Sequence, residues 1–522
     1  MRVAALPICV FCVAAVTLAQ IAFAQMRPAP PWIRQGGVVN DASRLPVDIP
    51  GGSLAPGAIV SIDGLRFVPG STTVEVATAR RVLQAQILEQ TTDHILALMP
   101  DLNASGSATL YVVAGNSRSV GTDIRLSPAA PGIYTANRLG WGTAAGTARP
   151  LAGKISIDTT GLGHGPARSI EVLIAGRKAA NLHREKGVVG IDHLSFDLPP
   201  GVHGCTVPVT LLVNGLVSNT ATFDTDDHCG REPGQNASIV LMRSDVILEL
   251  VEGTQTPFTV DALRAGYDQW SVKGLQTLFA LMPAAGACVS WTGQISQEDL
   301  VLPGLVEQAV GAAPDRADPF MEGASDLRDL DAGPAITITS PAGSHAARPS
   351  LRRPRVYTAV LGGNPPLARI PPLPLFLNPG NLTVAVAGGA DVGPAEIALT
   401  IPQSGQWTNR RSTSLVRRRD GLTFDWSVPP DSRVLTVVAN INRRAGLVGF
   451  AVCQPPAGAP RFRVPPFVLR NLPLTGRGVS DLSLGFAGLI AIPFHPPVVR
   501  TPGKERLQVY FVSLSGRSIV LQ

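Results

Sequence analysis

Four cysteines and the histidines beside two of them are the residues whose types and spacing could do chemistry. His203, Cys205, His228 and Cys229 are all metal-ligand types, arranged as an H-x-C and an H-C pair. Zinc sites use spacings that turn both members of a pair toward the metal, and an adjacent His and Cys do this poorly. Oxidation is the better use of the sulfurs. The spacing predicts two local disulfides, Cys205–Cys229 and Cys288–Cys453, because the alternative pairing would tie separate domains together.

A second cluster is acidic. Asp315, Asp318, Glu322, Asp326, Asp329 and Asp331 could converge on calcium from a loop at 315–331. They lack the Asp-x-Asp-x-Asp-Gly rhythm, and Arg316 and Arg328 interleave them, which favours a solvated loop with calcium as the alternative. Asp224, Asp226 and Asp227 read the same way. Leu472–Gly476 spells LPLTG, the form of a sortase anchoring motif, but no apolar span and basic tail follow it, so a turn between strands is expected. After residue 24 there is no G-x-S-x-G elbow, H-E-x-x-H helix, phosphate-binding G-x-x-x-x-G-K-[ST] loop or C-x-x-C pair. The expectation is a non-enzymatic protein without catalytic, cofactor-binding or metal-binding residues.

The elements around these residues begin with an export signal. Arg2 supplies a positive end, Leu6 to Ala19 an apolar stretch, and Ala22-Phe23-Ala24 a small-x-small cleavage site, so residues 1–24 read as a leader and Gln25 as the mature terminus. Pro7, Thr17 and Gln20 interrupt a run that is already short for a membrane anchor. No later segment is long and apolar enough to span a bilayer as a helix. An exported setting agrees with oxidised cysteines. The net charge is +6, with arginine clusters at Arg352, Arg353 and Arg355, at Arg417 to Arg419, and at Arg443–Arg444. Aromatic interleaving is missing, so these read as solvated strand ends and not as a nucleic-acid surface.

The chain has 53 glycines and 46 prolines, spread along its length between short alternating Val/Ile/Leu/Thr runs, and that pattern is all-β. Three blocks then recur in order. Thr73–Ile87 matches Ser169–His183 and sets Glu75 over Glu171. His94–Leu102 matches His193–Gly201 and sets His94 over His193. Ala108–Ser119 matches Pro208–Asn219. The offset stays near one hundred residues, a size natural to an immunoglobulin-like sandwich. The expected division is a sandwich at 36–135, a second at 150–230, and a β-rich region at 235–522 with room for two sub-domains.

The order of VVNDASRLPVDIPGGSLAPGAIVSIDGLRF, HILALMPDL, LYVVAGNSRS and PAAPGIYTA resembles the IPT/TIG-type immunoglobulin-like modules repeated in secreted acidobacterial proteins. The second copy is similar to them through VGIDHLSFDLPPGVHGCTVPVTLLVNGLVSN, and the likeness covers residues 36 to 230. It implies the fold and an exported setting; the family is mostly without assigned function. The remainder, with stretches such as LFLNPGNLTVAVAGGADVGPAEIALTIP, looks like the region that accompanies such modules.

In that remainder Trp407 and Trp426 are expected in the core and Asp391 in a turn. Thr259–Met282 is the one stretch where helix competes with strand, through Leu263, Tyr267, Trp270 and Leu275. The function expected from all this is adhesion, surface or extracellular assembly, with an unidentified protein or polysaccharide at the cell surface as partner. A carbohydrate-binding or carbohydrate-processing protein is the alternative. Aromatics make up 5% of the chain and no row of them is visible, which weighs against it.

Overall fold

A computed structural model describes residues 29–101, 105–146, 153–166, 169–226, 229, 235–251, 253–269, 282–294, 328–329, 331–349, 355–364, 371–476, 483–493, 498–500 and 506–522. The expected leader lies outside the described residues. The chain is all-β, and none of its described helices is long and apolar enough to cross a membrane.

The first sandwich holds β1 (Trp32–Asn40), β2 (Ile59–Leu65), β3 (Thr72–Ala77) and β4 (Val82–Gln90). β5 (His94–Leu98), β6 (Gly106–Ala114), β7 (Ser117–Arg118) and β8 (Thr122–Leu126) complete it. Strand order is β1-β2-β5-β4-β3-β6-β7, with β8 on β6. Alternation places Val60, Ile62 and Ile95 against Val74, Val76, Leu110 and Val112, all fully buried. Each such side chain contributes roughly 1.5–3 kcal/mol of burial free energy.

The second sandwich has β9 (Gly132–Ile133), β10 (Gly142–Thr143), β11 (Lys154–Thr160), β12 (Ile170–Ile174) and β13 (Arg177–Lys178). It continues with β14 (Ala180–Lys186), β15 (Asp192–Asp197), β16 (Val207–Val213), β17 (Leu216–Val217) and β18 (Ala221–Phe223). Its layers are β14-β15-β11-β9 and β10-β18-β16-β12-β13 with β17 on β16, closing on Ile155, Ile157, Leu194 and Phe196 against Val172, Val209 and Leu211. Both β9 and β10 pair here, upstream of the expected start at 150.

The sequence repeat is also a repeat of pairing. β2–β5, β3–β6, β4–β5, β6–β7 and β6–β8 recur as β11–β15, β12–β16, β14–β15, β16–β17 and β16–β18. One feature differs. β4 is continuous and pairs with both layers, with a register shift between Ile87 and Glu89, whereas its counterpart is split into β13 and β14.

The C-terminal region opens with β19 (Gln235–Val251), β20 (Thr254–Gln269), β21 (Ala287–Gln294), β22 (Arg328–Asp329), β23 (Ile336–Ser340) and β24 (Gly343–Pro349). Next come β25 (Val356–Gly363), β26 (Gly380–Val386), β27 (Ala395–Ile401), β28 (Gln406–Trp407), β29 (Leu415–Val416) and β30 (Leu422–Ser427). β31 (Ser432–Asn442), β32 (Leu447–Gln454), β33 (Arg461–Val464), a short helix Pro466–Leu469, β34 (Ser483–Pro493), β35 (Val498–Arg500) and β36 (Arg506–Leu521) follow.

One sheet runs β21-β32-β31-β34-β36-β19-β20-β25-β24-β23-β26-β27, while β28-β30-β33 forms a separate small layer. The long strand β36 serves two cores with one face. Leu507, Val509 and Phe511 join Ile239, Leu263, Ile338 and Val384, whereas Ile519 and Leu521 join Trp407, Phe424, Trp426 and Leu489. Trp407 and Trp426 are buried and face each other across β28–β30.

The helical alternative for Thr259–Met282 fails over its described part. Residues 254–269 are strand β20, and 270–281 lie outside the described residues. β20 is buried on both faces, Val260 and Ala262 on one and Leu263 and Ala265 on the other, with a register shift between Asp261 and Ala262. Two-sided burial erases the period of two that marks a strand.

Candidate functional site

The cysteines sit where oxidation can join them. Cys205 and Cys229 are bonded with Cα atoms 5.3 Å apart. Cys288 and Cys453 are bonded with Cα atoms 4.0 Å apart, as direct partners across β21–β32. His203 is exposed and His228 lies outside the described residues. Among the described residues no group of three or more His, Cys, Asp or Glu side chains could hold a metal ion.

Most of the acidic loop 315–331 also lies outside the described residues, but Asp331 is placed. Its carboxylate accepts from the Gly333 N–H at 2.8 Å and its own N–H donates to Asp391 at 2.9 Å, while the Asp391 and Val392 N–H groups donate to the Asp331 carbonyl. The Gly333 and Ala390 N–H groups, with Arg355 nearby, hold the Asp331 carboxyl below its usual range. The two aspartates fasten two turns. Within LPLTG, Thr475 is buried. It accepts from the Leu521 N–H at 2.9 Å, and Asn440 donates to the Pro473 carbonyl at 2.9 Å. The stretch is a connection before β34 pinned by these bonds.

Duplicated polar pairs follow the strand repeat. Asp63 and His94 are partners across β2–β5, with Nδ1 2.8 Å from the carboxylate. Asp158 and His193 repeat this across β11–β15 at 2.6 Å. On the other layer Glu75 pairs with Arg118 at 2.7 Å, and Glu171 with Lys178 at 2.7 Å. Arg118 lies 3.6 Å over the Tyr111 ring.

Buried asparagines do more structural work than any of these. In the VVND stretch, Asn40 accepts from the Ala42 and Ser43 N–H groups and donates to the Ala130 carbonyl at 2.9 Å, joining the first sandwich to the linker. Thr160 of β11 accepts from the Ile59 N–H of β2 at 3.0 Å and donates to Gly190 at 2.6 Å. Gly161 closes this junction. A Cβ there would meet the Ala130 carbonyl at 2.1 Å, and its φ of +75° suits glycine. Tyr134 hydrogen-bonds Asp41, and burial, reinforced by that carboxylate, pushes its phenol well above the usual tyrosine range.

Asn471 joins three parts at once. It accepts from Gly51 of the first sandwich at 3.2 Å and donates to Val217 and Ser218 of the second at 3.0 and 3.2 Å. Its own carbonyl accepts from Thr292 of β21 at 2.7 Å. Leu45 and Ile49 pack on Leu447 beside it. All of these groups are buried, where each left unpaired would cost about 1–3 kcal/mol. None had a spacing signature in the sequence: a lone asparagine in a turn-like context reads as a turn residue.

The seam between the two C-terminal cores is polar. On β36, Ser513 and Ser515 accept from the Gly405 and Trp407 N–H groups at 2.9 and 3.1 Å. Fully buried Arg517 donates to the carbonyls of Arg410 and Arg411. Burial lowers the Arg517 pKa, an effect opposed by Glu249 and aided by Arg410. Beside the seam is a cleft of about 320 Å³, with Leu399, Ala491, Val509 and Phe511 among its apolar walls and Gln403, Asp431 and Ser432 among its polar ones. Among the described residues its lining holds no histidine, cysteine or lysine, and its one ionisable side chain is Asp431.

No protein-family model matches the chain, and no curated protein sequence matches it. Similar solved structures include domains 5–6 of the S-layer protein SbsC, at 14% identity and TM-score 0.19, covering 38% of this chain and 100% of that one. A tetra-tandem repeat from the extending region of a large adhesion protein overlaps at 11% identity and TM-score 0.13, covering 94% of this chain and 98% of that one. SGBP-B from a xyloglucan utilization locus in Bacteroides uniformis overlaps at 13% identity and TM-score 0.18, covering 64% and 86%. Overlaps at this level carry no inference about what this chain binds.

Proposed function

We propose that the chain is an exported, non-enzymatic protein of tandem immunoglobulin-like sandwiches used for adhesion, surface or extracellular assembly. On this reading residues 1–24 are removed on export, 36–135 and 150–230 are the IPT/TIG-type modules, and 235–522 is a two-core unit that fixes their arrangement. The observation that carries it is the buried Asn471 junction, in which one side chain binds both sandwiches and its backbone holds β21. Junctions between domains are ordinarily looser and more polar contacts that permit motion. A stack fastened by buried hydrogen bonds suits a spacer that presents loops and edges at a fixed distance. Two disulfides agree with an oxidising compartment.

The experiment is to recover the native protein by cell fractionation and to screen it against purified cell envelopes and soluble polysaccharides. Retention on envelopes without glycan binding supports the assembly reading. Selective glycan binding would move the assignment to a carbohydrate-binding protein, and a cytosolic, reduced protein would overturn both.

A further inference from the structure

The long C-terminal sheet has two ends, and they are treated differently. At one end β21 is held against the second sandwich, with Ser290 3.3 Å from Thr220 and Thr292 bonded to Asn471. At the other end lies β27, whose seven residues pair with β26 in unbroken register from Ala395 to Ile401. Among the described residues, no backbone group of 395–401 bonds to anything beyond that pairing.

Edge strands of soluble proteins are normally guarded by charge, proline or a bulge. Other edges here follow that rule. β14 carries Arg184, Glu185 and Lys186 and a register shift between Ala180 and His183. β1 is interrupted between Ile33 and Val38, and β33 carries Arg461 and Arg463. β27 reads AEIALTI, with one charged residue, no proline and no bulge.

We propose that the β27 edge is a docking surface for a second copy of this chain, paired antiparallel about a two-fold axis at Ala398. The sequence is self-complementary in that register. Glu396 falls opposite the partner's Thr400, Ile397 opposite the partner's Leu399, and Ala398 opposite the partner's Ala398, so no like charges meet. Residues directly opposite share a face, so the inward Ile397 and Leu399 meet their inward counterparts. Leu399 already lines the cleft with Val509 and Phe511, and the partner's Ile397 extends that apolar layer over its opening. A two-fold contact uses the same patch on both copies and closes on itself, giving a dimer and not a fibre. Seven residues of edge pairing bury less than a standard stable interface, so the dimer forms reversibly with concentration. The inference does not rest on the adhesion reading, since it needs only the open edge.

Sedimentation of the full exported chain over a concentration series tests it. The expected result is a shift to doubled mass at high concentration. Ala398→Lys, at an exposed position, sets two lysines against each other and is expected to abolish the shift. Thr400→Lys sets lysine against the partner's Glu396 and is expected to tighten association. A wild type that stays monomeric overturns the proposal. So does a dimer insensitive to both substitutions, which would place the contact on another surface.

Discussion

Asp158 and His193 face each other across β11–β15 with carboxylate and Nδ1 2.6 Å apart, and Asp63 and His94 hold the same relation in the first sandwich at 2.8 Å. The repeated histidines of the sequence are thus half of a repeated pair, whose other half stands in the SID stretches of the two copies. Both pairs are partly exposed, which limits their value. Asp63→Ala and Asp158→Ala are each expected to lower the stability of their own sandwich by about 0.2–1 kcal/mol in urea unfolding. A loss well above that range for either would show that the pair does more than join two strands.

Asn471 is expected to matter far more. Asn471→Ala leaves the Gly51 N–H and the Val217 and Ser218 carbonyls without their partner in a buried junction. A loss of about 2–4 kcal/mol follows if one or two of these groups stay unpaired. Hydrogen exchange should rise at 49–52 and 216–219 while β3 and β12 stay protected. Uniform loosening of both sandwiches would mean that Asn471 supports folding generally and not the junction.

The fold was legible where patterning was local, and less so where it was not. Thr72–Ala77 and Ile170–Ile174 alternate cleanly and fall on matching strands. The sharing of β36 between two cores was hidden, because its partner β19 is parallel and lies far upstream, and nothing local encodes such pairing. Arg517 is a case of pattern misleading. It continues the inward face of Leu507 to Leu521, yet an arginine there reads as a solvent position until the Arg410 and Arg411 carbonyls are seen to receive it. Of the site, the sulfur pairs could be read from spacing, whereas the Asn471 junction and the Asn40 bond to Ala130 could not, since those partners are backbone groups far away in sequence. Only the local Asn40 contacts with Ala42 and Ser43 are of the turn kind a sequence suggests.

Alkaline pH is expected to destabilise the chain through its tyrosines. Burial raises Tyr134, Tyr357 and Tyr510 above the ordinary value, for Tyr134 with Asp41 adding to the effect. The folded state therefore keeps protons that the unfolded state releases above about pH 10. The stabilisation is complete below that pH and is lost as pH rises further. Three of the 5 tyrosines should ionise at higher pH than an exposed tyrosine, seen as a delayed phenolate absorbance rise. Tyr134→Phe should flatten part of the slope. Early, reversible ionisation of all the tyrosines in native protein would refute this.

The Cys288–Cys453 bond is expected to hold an edge strand more than a whole domain. Among the described residues β21 pairs in sheet only with β32, and the disulfide joins two residues already opposite in that ladder. It closes a loop with sequence separation 165, for which the chain-entropy model gives about 5 kcal/mol. Cys288→Ala and Cys453→Ala each remove the same cross-link, so their costs should be similar and the double variant hardly worse than either. The rest of the second C-terminal core, built on Phe424, Leu489 and Ile519, keeps its own contacts without β21. Loss of the bond should therefore appear first as faster hydrogen exchange across 287–294, followed by weakening of the Thr292–Asn471 contact, with β30 and β34 still protected. Free thiols in the exported protein, or additive costs for the two single substitutions, would remove the basis for assigning the bond this role.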